Sequence, residues 1–359
     1  MAISTPTPPL SPLSVASWSH THTQLPPAFH ASLEAFLIDK AHWIKTYQTT
    51  QPLRGKKIAL TTQEQVQGLY QILTSARFCR QRPSHSLSFL KVITTAVSQQ
   101  QPIPITLIHG PLKNRNNASY QHPDWAEWFS GIQLHRLGAA IKTLHEPGLR
   151  ITYLLDDARA EHANRICSTI THTYQTQLNQ FLVAMGFNHL IQEVQSLRPV
   201  YEHPHWAEHY TAASQEVLSW WNDPLFASRQ EQYCTHAQRN SYGLEKLPKE
   251  EQQAYIQAAA YRYCVAFHAE QRAGIWDSSQ ALTMLYSAYE GYHQLFTLRR
   301  GSVSQPWQGQ GAVLWHNARW DVTLLTQNFY TRQDPQRCLY PYTASIGPSL
   351  PLPVIVDLP

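Results

Sequence analysis

One segment of the sequence, residues 102–157, has the pattern of two short strands separated by a helix. Residues 102–108 and 151–155 are apolar runs, and residues 123–145 carry the apolar spacing of an amphipathic helix. This order predicts a βαβ unit, in which the two strands run parallel in one sheet and the helix crosses between them. Because ligands of open α/β sheets bind beyond the carboxyl ends of the strands, the residues that follow each run define the candidate crevice.

The patterns around this unit predict an α/β protein. We expect a Rossmann-like parallel or mixed sheet flanked by helices, followed by a helix-rich C-terminal half with a late β-hairpin. The predicted regions are a flexible arm rich in Pro, Ser and Thr at 1–28, an α/β core at 29–200, and a helix-rich half at 201–359 that closes on the core and ends in the hairpin and a Pro-rich tail.

Local patterns refine this division. A single helix is predicted over 161–185, and the spacing in the C-terminal half predicts helices over 204–221, 224–239, 248–272 and 278–297. The hairpin is expected within 311–325, and a terminal strand is expected at 354–356.

The charge pattern argues against nucleic-acid and membrane partners. Charged residues make up 14% of the chain and the net charge is +4, and the short cluster of Arg77, Arg80 and Arg82 is not continued by a basic stripe. No run approaches the roughly 20 apolar residues of a membrane-spanning helix. The expected partners are therefore small molecules.

The cysteines and the N-terminal residues favour a cytoplasmic location. The five cysteines are irregularly spaced and form no Cys-x-x-Cys pair, which is unlike a zinc site or a disulfide scaffold. No Lys or Arg precedes Lys40, and prolines interrupt the early apolar residues, so a signal peptide is not expected. Because no glycine-rich nucleotide loop and no Gly-x-Ser-x-Gly elbow is present, no cofactor is predicted.

Lys113 is the first candidate site residue. It follows the first apolar run and shares its loop with Asn114 and Asn116. An ammonium group among amides suits a phosphate or a carbonyl, and a desolvated lysine can form a Schiff base. The alternative is an exposed loop lysine.

Asp156 and Asp157 follow the second apolar run. One carboxylate could orient an amine, a sugar hydroxyl or a metal while the other caps the next helix. Arg159 and His162 fall in the first turns of that helix, where added cations favour phosphate binding. Simple exposure of these two side chains is the alternative.

Two further sets of residues are candidates. Arg299 and Arg300 precede a glycine and could hold a phosphate, or could occupy an exposed turn. The Glu-x-x-His spacing in the C-terminal half is used by di-iron helical bundles, so a metal-dependent oxygenase is an alternative function. Its predicted ligands would be Glu208, His209, Glu270, Glu290 and His293.

An ordered set of short motifs resembles the pyoverdine/dityrosine biosynthesis family, the isonitrile synthases. That family combines a Pro-Ile strand, a Pro-x-Lys loop, a Pro-Asp-x-x-Glu helix start, a Pro-Gly turn and a strand ending in Ser-Asp-Gly. The corresponding motifs here are Pro102-Ile103, Gly110-Pro111-Leu-Lys113-Asn114, Pro123-Asp124-Trp-Ala-Glu127, Glu146-Pro147-Gly148 and Leu155-Asp156-Asp157. Near the end, Gln305-Pro306-Trp307-Gln308 is similar to the family's Thr-Pro-Trp-His.

The resemblance implies an enzyme of specialised metabolism that forms and cleaves C–N and C–C bonds. Such an enzyme joins an amino acid to ribulose 5-phosphate and converts the amine into an isonitrile. Lys113, Asp156 and Asp157 would then be catalytic, and Trp307 and Gln308 would line the substrate site. A non-catalytic binding protein on the same fold is an alternative, because Ala158 and Gln308 replace the Gly and His of the family motifs.

Overall fold

The computed structural model describes residues 24–52, 60–81, 86–110, 122–240, 244, 247–275, 281–285, 295–298, 310–325 and 337–357. Within these ranges the helices are α1 (Pro27–Thr49), α2 (Thr62–Leu73), α3 (Ser86–Ser98), α4 (Trp125–Lys142), α5 (Asp157–Asn164), α6 (Ser168–Ala184), α7 (Arg198–Tyr201), α8 (Trp206–Trp221), α9 (Ala227–Asn240) and α10 (Lys249–Arg272). The strands are β1 (Cys79–Gln81), β2 (Ile103–His109), β3 (Leu149–Leu155), β4 (Ile191–Ser196), β5 (Leu282–Leu285), β6 (Leu295–Leu298), β7 (Gln310–His316), β8 (Arg319–Leu325), β9 (Arg337–Tyr342) and β10 (Leu352–Asp357).

The predicted βαβ unit is confirmed. β2 and β3 are parallel neighbours whose register runs from Ile103 opposite Leu149 to His109 opposite Leu155. Helix α4 connects them and begins with a capping box, in which the Asp124 carboxylate accepts the Ala126 N–H at 2.6 Å. The Glu127 carboxylate accepts the Asp124 N–H at 2.7 Å, so the start of α4 is fixed by its own sequence.

The unit belongs to a six-stranded sheet, which confirms the α/β fold class. The strand order is β1-β6-β5-β2-β3-β4, and every neighbouring pair is parallel except β1 with β6. Consecutive residues Leu154 and Leu155 of β3 are both buried. Both faces of the sheet are therefore covered there, as the continuous apolar sequence of a central parallel strand requires.

Two helix predictions are wrong. The helix expected over 278–297 is replaced, in its described residues, by strands β5 and β6. A short apolar run fits a buried strand as well as a helix turn, and β5 lies beside β2 with Leu282 opposite Ile105. The helix expected over 161–185 is divided, because Arg165 adopts a left-handed conformation that ends α5 before α6 begins.

The late hairpin and the terminal strand are confirmed. β7 and β8 pair antiparallel around Asn317 and Ala318, both with positive φ. β10 pairs parallel with β7 and antiparallel with β9, completing a second sheet in the order β8-β7-β10-β9. β9 lies in the segment that was expected to be Pro-rich coil.

The second sheet packs directly on the start of α4. Gly311 of β7 donates its N–H to the Asp124 carboxylate at 3.3 Å. A Cβ at this glycine would lie 2.0 Å from the Ala126 nitrogen. Only glycine permits this approach, so the second sheet and the βαβ unit share one core.

Gly311→Ala is therefore expected to destabilise the protein by about 1–3 kcal/mol, because backbone atoms must move to admit the methyl group. Gly68→Ala is the matched control, since its Cβ would meet only the flexible end of Leu144 at 2.8 Å. Chemical denaturation of both variants measures the difference. Equal stability of the two variants would contradict the tight docking.

Among the described helices, none has both the length and the apolar character needed to cross a membrane. All five cysteines lie in described ranges and none is joined in a disulfide.

Candidate functional site

Polar residues collect where β2, β3 and β4 end side by side. His109 ends β2, Asp156 and Asp157 follow β3, and Ser196 ends β4. The strands stay in register to this point, since the Asp156 N–H donates to the His109 carbonyl at 3.1 Å. The two aspartates thus lie at the edge that the sequence predicted. Lys113, Asn114 and Asn116, which were predicted to share this edge, lie outside the described residues.

Asp157 connects the ends of two strands. Its carboxylate is buried, accepts the Leu197 N–H at 3.0 Å and accepts a hydrogen bond from the Ser196 hydroxyl. Both oxygens are therefore engaged in holding β4 against the start of α5.

Asp156 is placed differently. It is the N-cap residue of α5, but its side chain makes no capping hydrogen bond. The side chain is 18% exposed, and its Oδ1 has no hydrogen-bond partner among the described residues. The pKa of this carboxyl is raised to about 6, chiefly by burial, while the Arg159 charge opposes the rise and the nearby Glu270 and Asp157 charges add to it.

A buried ion pair lies beside Asp156. Arg159 is 1% exposed and binds Glu270 of α10 through two hydrogen bonds, from Nε at 2.9 Å and from Nη2 at 2.7 Å. Its Nη1 donates to the Tyr263 hydroxyl at 2.9 Å and lies 3.8 Å from the Asp156 carboxylate. The Tyr201 hydroxyl donates to Glu270 at 2.7 Å.

The charges of this group do not balance. One guanidinium lies among the carboxylates of Glu270 and Asp156, so the group carries one net negative charge when Asp156 is ionised. Arg159 was predicted as an anion anchor, but its fork is already occupied by Glu270. The group therefore favours a cation over an anion beside Asp156.

His162 lies one turn further along α5 and is exposed, which was the alternative expected for it. Its ring packs edge-on against Tyr210 at 5.0 Å and Tyr201 at 6.1 Å. Burial lowers its pKa, and the positive charge of Arg262 lowers it further. A neutral imidazole in contact with Tyr201, whose hydroxyl binds Glu270, can donate a hydrogen bond without adding charge.

A polar chain that the sequence did not reveal begins at the end of β2. His109 is fully buried and contacts the Tyr174 hydroxyl through Nε2 at 2.7 Å. Tyr174, from α6, donates to the Glu127 carboxylate at 2.7 Å. The His109 ring also stacks on Tyr153, with ring centres 4.9 Å apart and planes 8° apart.

The residues of the alternative metal site are not assembled in the described part of the chain. Glu208 is 77% exposed and faces His205 at 3.1 Å, whereas Glu270 is buried against Arg159. His209 is on α8 with Glu208, and no group of three His, Cys, Asp or Glu side chains suited to a metal occurs among the described residues. Glu290 and His293 lie outside those residues.

The remaining predicted site residues, Arg299, Arg300, Trp307 and Gln308, also lie outside the described residues. Conversely, sequence reasoning missed His109, Tyr263 and the role of Glu270. A polar residue that ends an otherwise apolar strand was the available signal for His109. For Glu270 the signal was a single acid after the largely apolar stretch 264–269 of α10.

A largely parallel sheet with a polar carboxyl edge and a second mixed sheet defines the class of this protein as α/β, with a Rossmann-like core. Its structure is similar to the crystal structure of PvcA from Pseudomonas aeruginosa, with a TM-score of 0.57 and 15% sequence identity over 81% of this chain and 100% of PvcA. The family resemblance inferred from the sequence is thereby confirmed at the level of the fold. No protein-family model and no curated protein sequence matches the chain.

Proposed function

We propose that this protein is an isonitrile-synthase-like enzyme of specialised metabolism that modifies the amino group of an amino acid in the cytoplasm, with ribulose 5-phosphate as co-substrate. The fold shared with PvcA, a pyoverdine biosynthesis protein of the isonitrile synthase family, supports this proposal. The ordered motifs of residues 102–157 and 305–308 support it independently.

Asp156 carries the proposal. An amino acid at neutral pH presents an ammonium group, which must lose a proton before the nitrogen can attack a ketone. The net negative charge of Asp156, Arg159 and Glu270 attracts that ammonium. The partly exposed Asp156 carboxylate is the member of the group that can reach it.

The other residues have supporting roles in this proposal. Asp157 fixes the strand ends, so Asp156 rather than Asp157 receives the proton. Arg159 holds Glu270 and sets the charge beside Asp156. Lys113, with Asn114 and Asn116, binds the phosphate or carbonyl of the sugar.

Three further groups complete the site in this proposal. Arg299 and Arg300 bind the phosphate, and Trp307 and Gln308 line the amino acid pocket. His162 donates a hydrogen bond from its neutral ring.

The test is to incubate the purified protein with ribulose 5-phosphate and each amino acid in turn, and to follow loss of the amine and gain of an isonitrile by mass spectrometry. We expect one amino acid to be consumed. Consumption should require both substrates and should not require added iron. Binding of an amino acid without any turnover would instead identify a non-catalytic binding protein, and iron-dependent oxidation would identify an oxygenase.

A further inference from the structure

The polar chain of His109, Tyr174 and Glu127 is buried. His109 is the last residue of β2, whose neighbour β3 is followed by Asp156. Three buried polar side chains from β2, α6 and α4 are costly unless they satisfy one another. Glu127 also belongs to the capping box of α4, whose other member, Asp124, accepts the N–H of Gly311. The chain thus connects the second sheet and two helices to the end of β2.

The direction of the hydrogen bonds follows from the donor count. The Tyr174 hydroxyl has one hydrogen and donates it to Glu127. Burial raises the pKa of Tyr174, and the neighbouring Glu127 charge raises it further, so the hydroxyl keeps its hydrogen. The Tyr174 oxygen must then accept from His109, which fixes the tautomer with hydrogen on Nε2.

This chain is connected to Asp156 through a backbone hydrogen bond. The His109 carbonyl accepts the Asp156 N–H at 3.1 Å, and the His109 ring is held by its hydrogen bond to Tyr174 and by stacking on Tyr153. We propose that His109 is a positioning residue, which, locked by Tyr174 and Glu127, fixes the main chain at Asp156 and so the direction of its carboxylate. This proposal rests on the proposed function only in assuming that Asp156 binds a substrate.

The test compares two Tyr→Phe variants. Tyr174→Phe removes the hydroxyl that joins His109 to Glu127, whereas Tyr47→Phe alters a buried tyrosine of α1 whose hydroxyl donates to the Leu149 carbonyl, at the opposite end of β3 from Asp156. We expect Tyr174→Phe to lower kcat about tenfold or more with KM changed less than twofold, since small misplacements of a reacting group are costly. Tyr47→Phe should retain the wild-type kcat.

A second readout needs no turnover. The titration of Asp156 can be followed by NMR of ¹³C-labelled aspartate carboxyls, with Asp156→Asn identifying the signal. Asp156 is faced by Arg159, Asp157 and Glu270, and by the hydroxyl of Tyr263, which binds Arg159. None of these is altered in Tyr174→Phe. In Tyr174→Phe the main chain at Asp156 is held less firmly, which admits water to the carboxylate. The Asp156 pKa should therefore fall from about 6 toward its ordinary value of 3.8.

A pair of His109 variants covers the case in which Tyr174→Phe does not fold. His109→Gln keeps an N–H donor that can reach Tyr174 and should retain most of the wild-type behaviour, whereas His109→Leu should reproduce the loss. The positioning role is wrong if Asp156 titrates in Tyr174→Phe as it does in the wild type. If Tyr174→Phe does not fold, the same result in His109→Leu has the same meaning. If wild-type protein consumes no amino acid but the titration shifts as expected, the proposed function fails and the positioning role stands.

Discussion

Replacing Arg159 with Met is expected to lower the free energy of unfolding by about 3–5 kcal/mol. Removing one partner of a buried ion pair leaves the other charge without compensation. Here Glu270 would stay buried beside a second carboxylate, Asp156, with the Tyr201 hydroxyl as its remaining described partner. The loss relative to wild type should be smaller at acid pH than at neutral pH, because protonation of the carboxylates removes this repulsion.

Two comparisons make the measurement specific. The double variant Arg159→Met/Glu270→Met should be more stable than Arg159→Met alone, since no buried charge of the pair is left. Arg272→Met is the matched control. Arg272 Nη2 lies 2.8 Å from the Glu216 carboxylate, but the two side chains are 44% and 42% exposed, so this ion pair lies at the surface. It should cost less than about 1 kcal/mol. Urea denaturation that gives equal losses for Arg159→Met and Arg272→Met would contradict the buried pair.

Asp156→Asn is expected to lower turnover about 100-fold or more while it stabilises the fold above pH 6. The loss of rate follows from loss of the proposed base. The stability change follows from the pKa of about 6 against an ordinary 3.8. A raised carboxyl pKa means that wild-type protein loses stability as pH rises from 3.8 through 6, because the folded state then holds a poorly solvated charge.

Asparagine carries no charge at any of these pH values. The stabilisation should therefore be near zero below pH 4 and reach about 1–3 kcal/mol above pH 6, reduced by the partial exposure of the side chain. Asp157→Asn is the control, since it weakens the bonds to Ser196 and Leu197 and should destabilise the protein at neutral pH. Asp156→Asn that is less stable than wild type at pH 8 would show that Asp156 has a structural role.

The sequence predicted the centre of the fold because that part depends on local patterns. The two apolar runs, the capping residues Asp124 and Glu127, and the hairpin around Asn317 each specify their own geometry. The strands β5 and β9 were missed because their burial and pairing depend on strands distant in the sequence.

The candidate site was predicted in position but not in its contacts. The Asp156–Asp157 pair marked the edge of the sheet, yet the sequence does not show which carboxylate is engaged by β4 and which faces the ion pair. Glu270 lies 111 positions from its partner Arg159, so only the packing of α10 on α5 brings the two together. Tyr174 and His109 are 65 positions apart, and only the packing of α6 near the end of β2 brings them together.

The most direct test of the account is the pH dependence of kcat/KM for the amino acid that the protein consumes, measured on wild type and on Asp156→Asn. The account predicts that wild-type kcat/KM rises with pH through an ionisation near 6, and that this ionisation is absent from the residual activity of the variant. An Asp156→Asn protein that keeps the wild-type kcat/KM and the wild-type profile would contradict it.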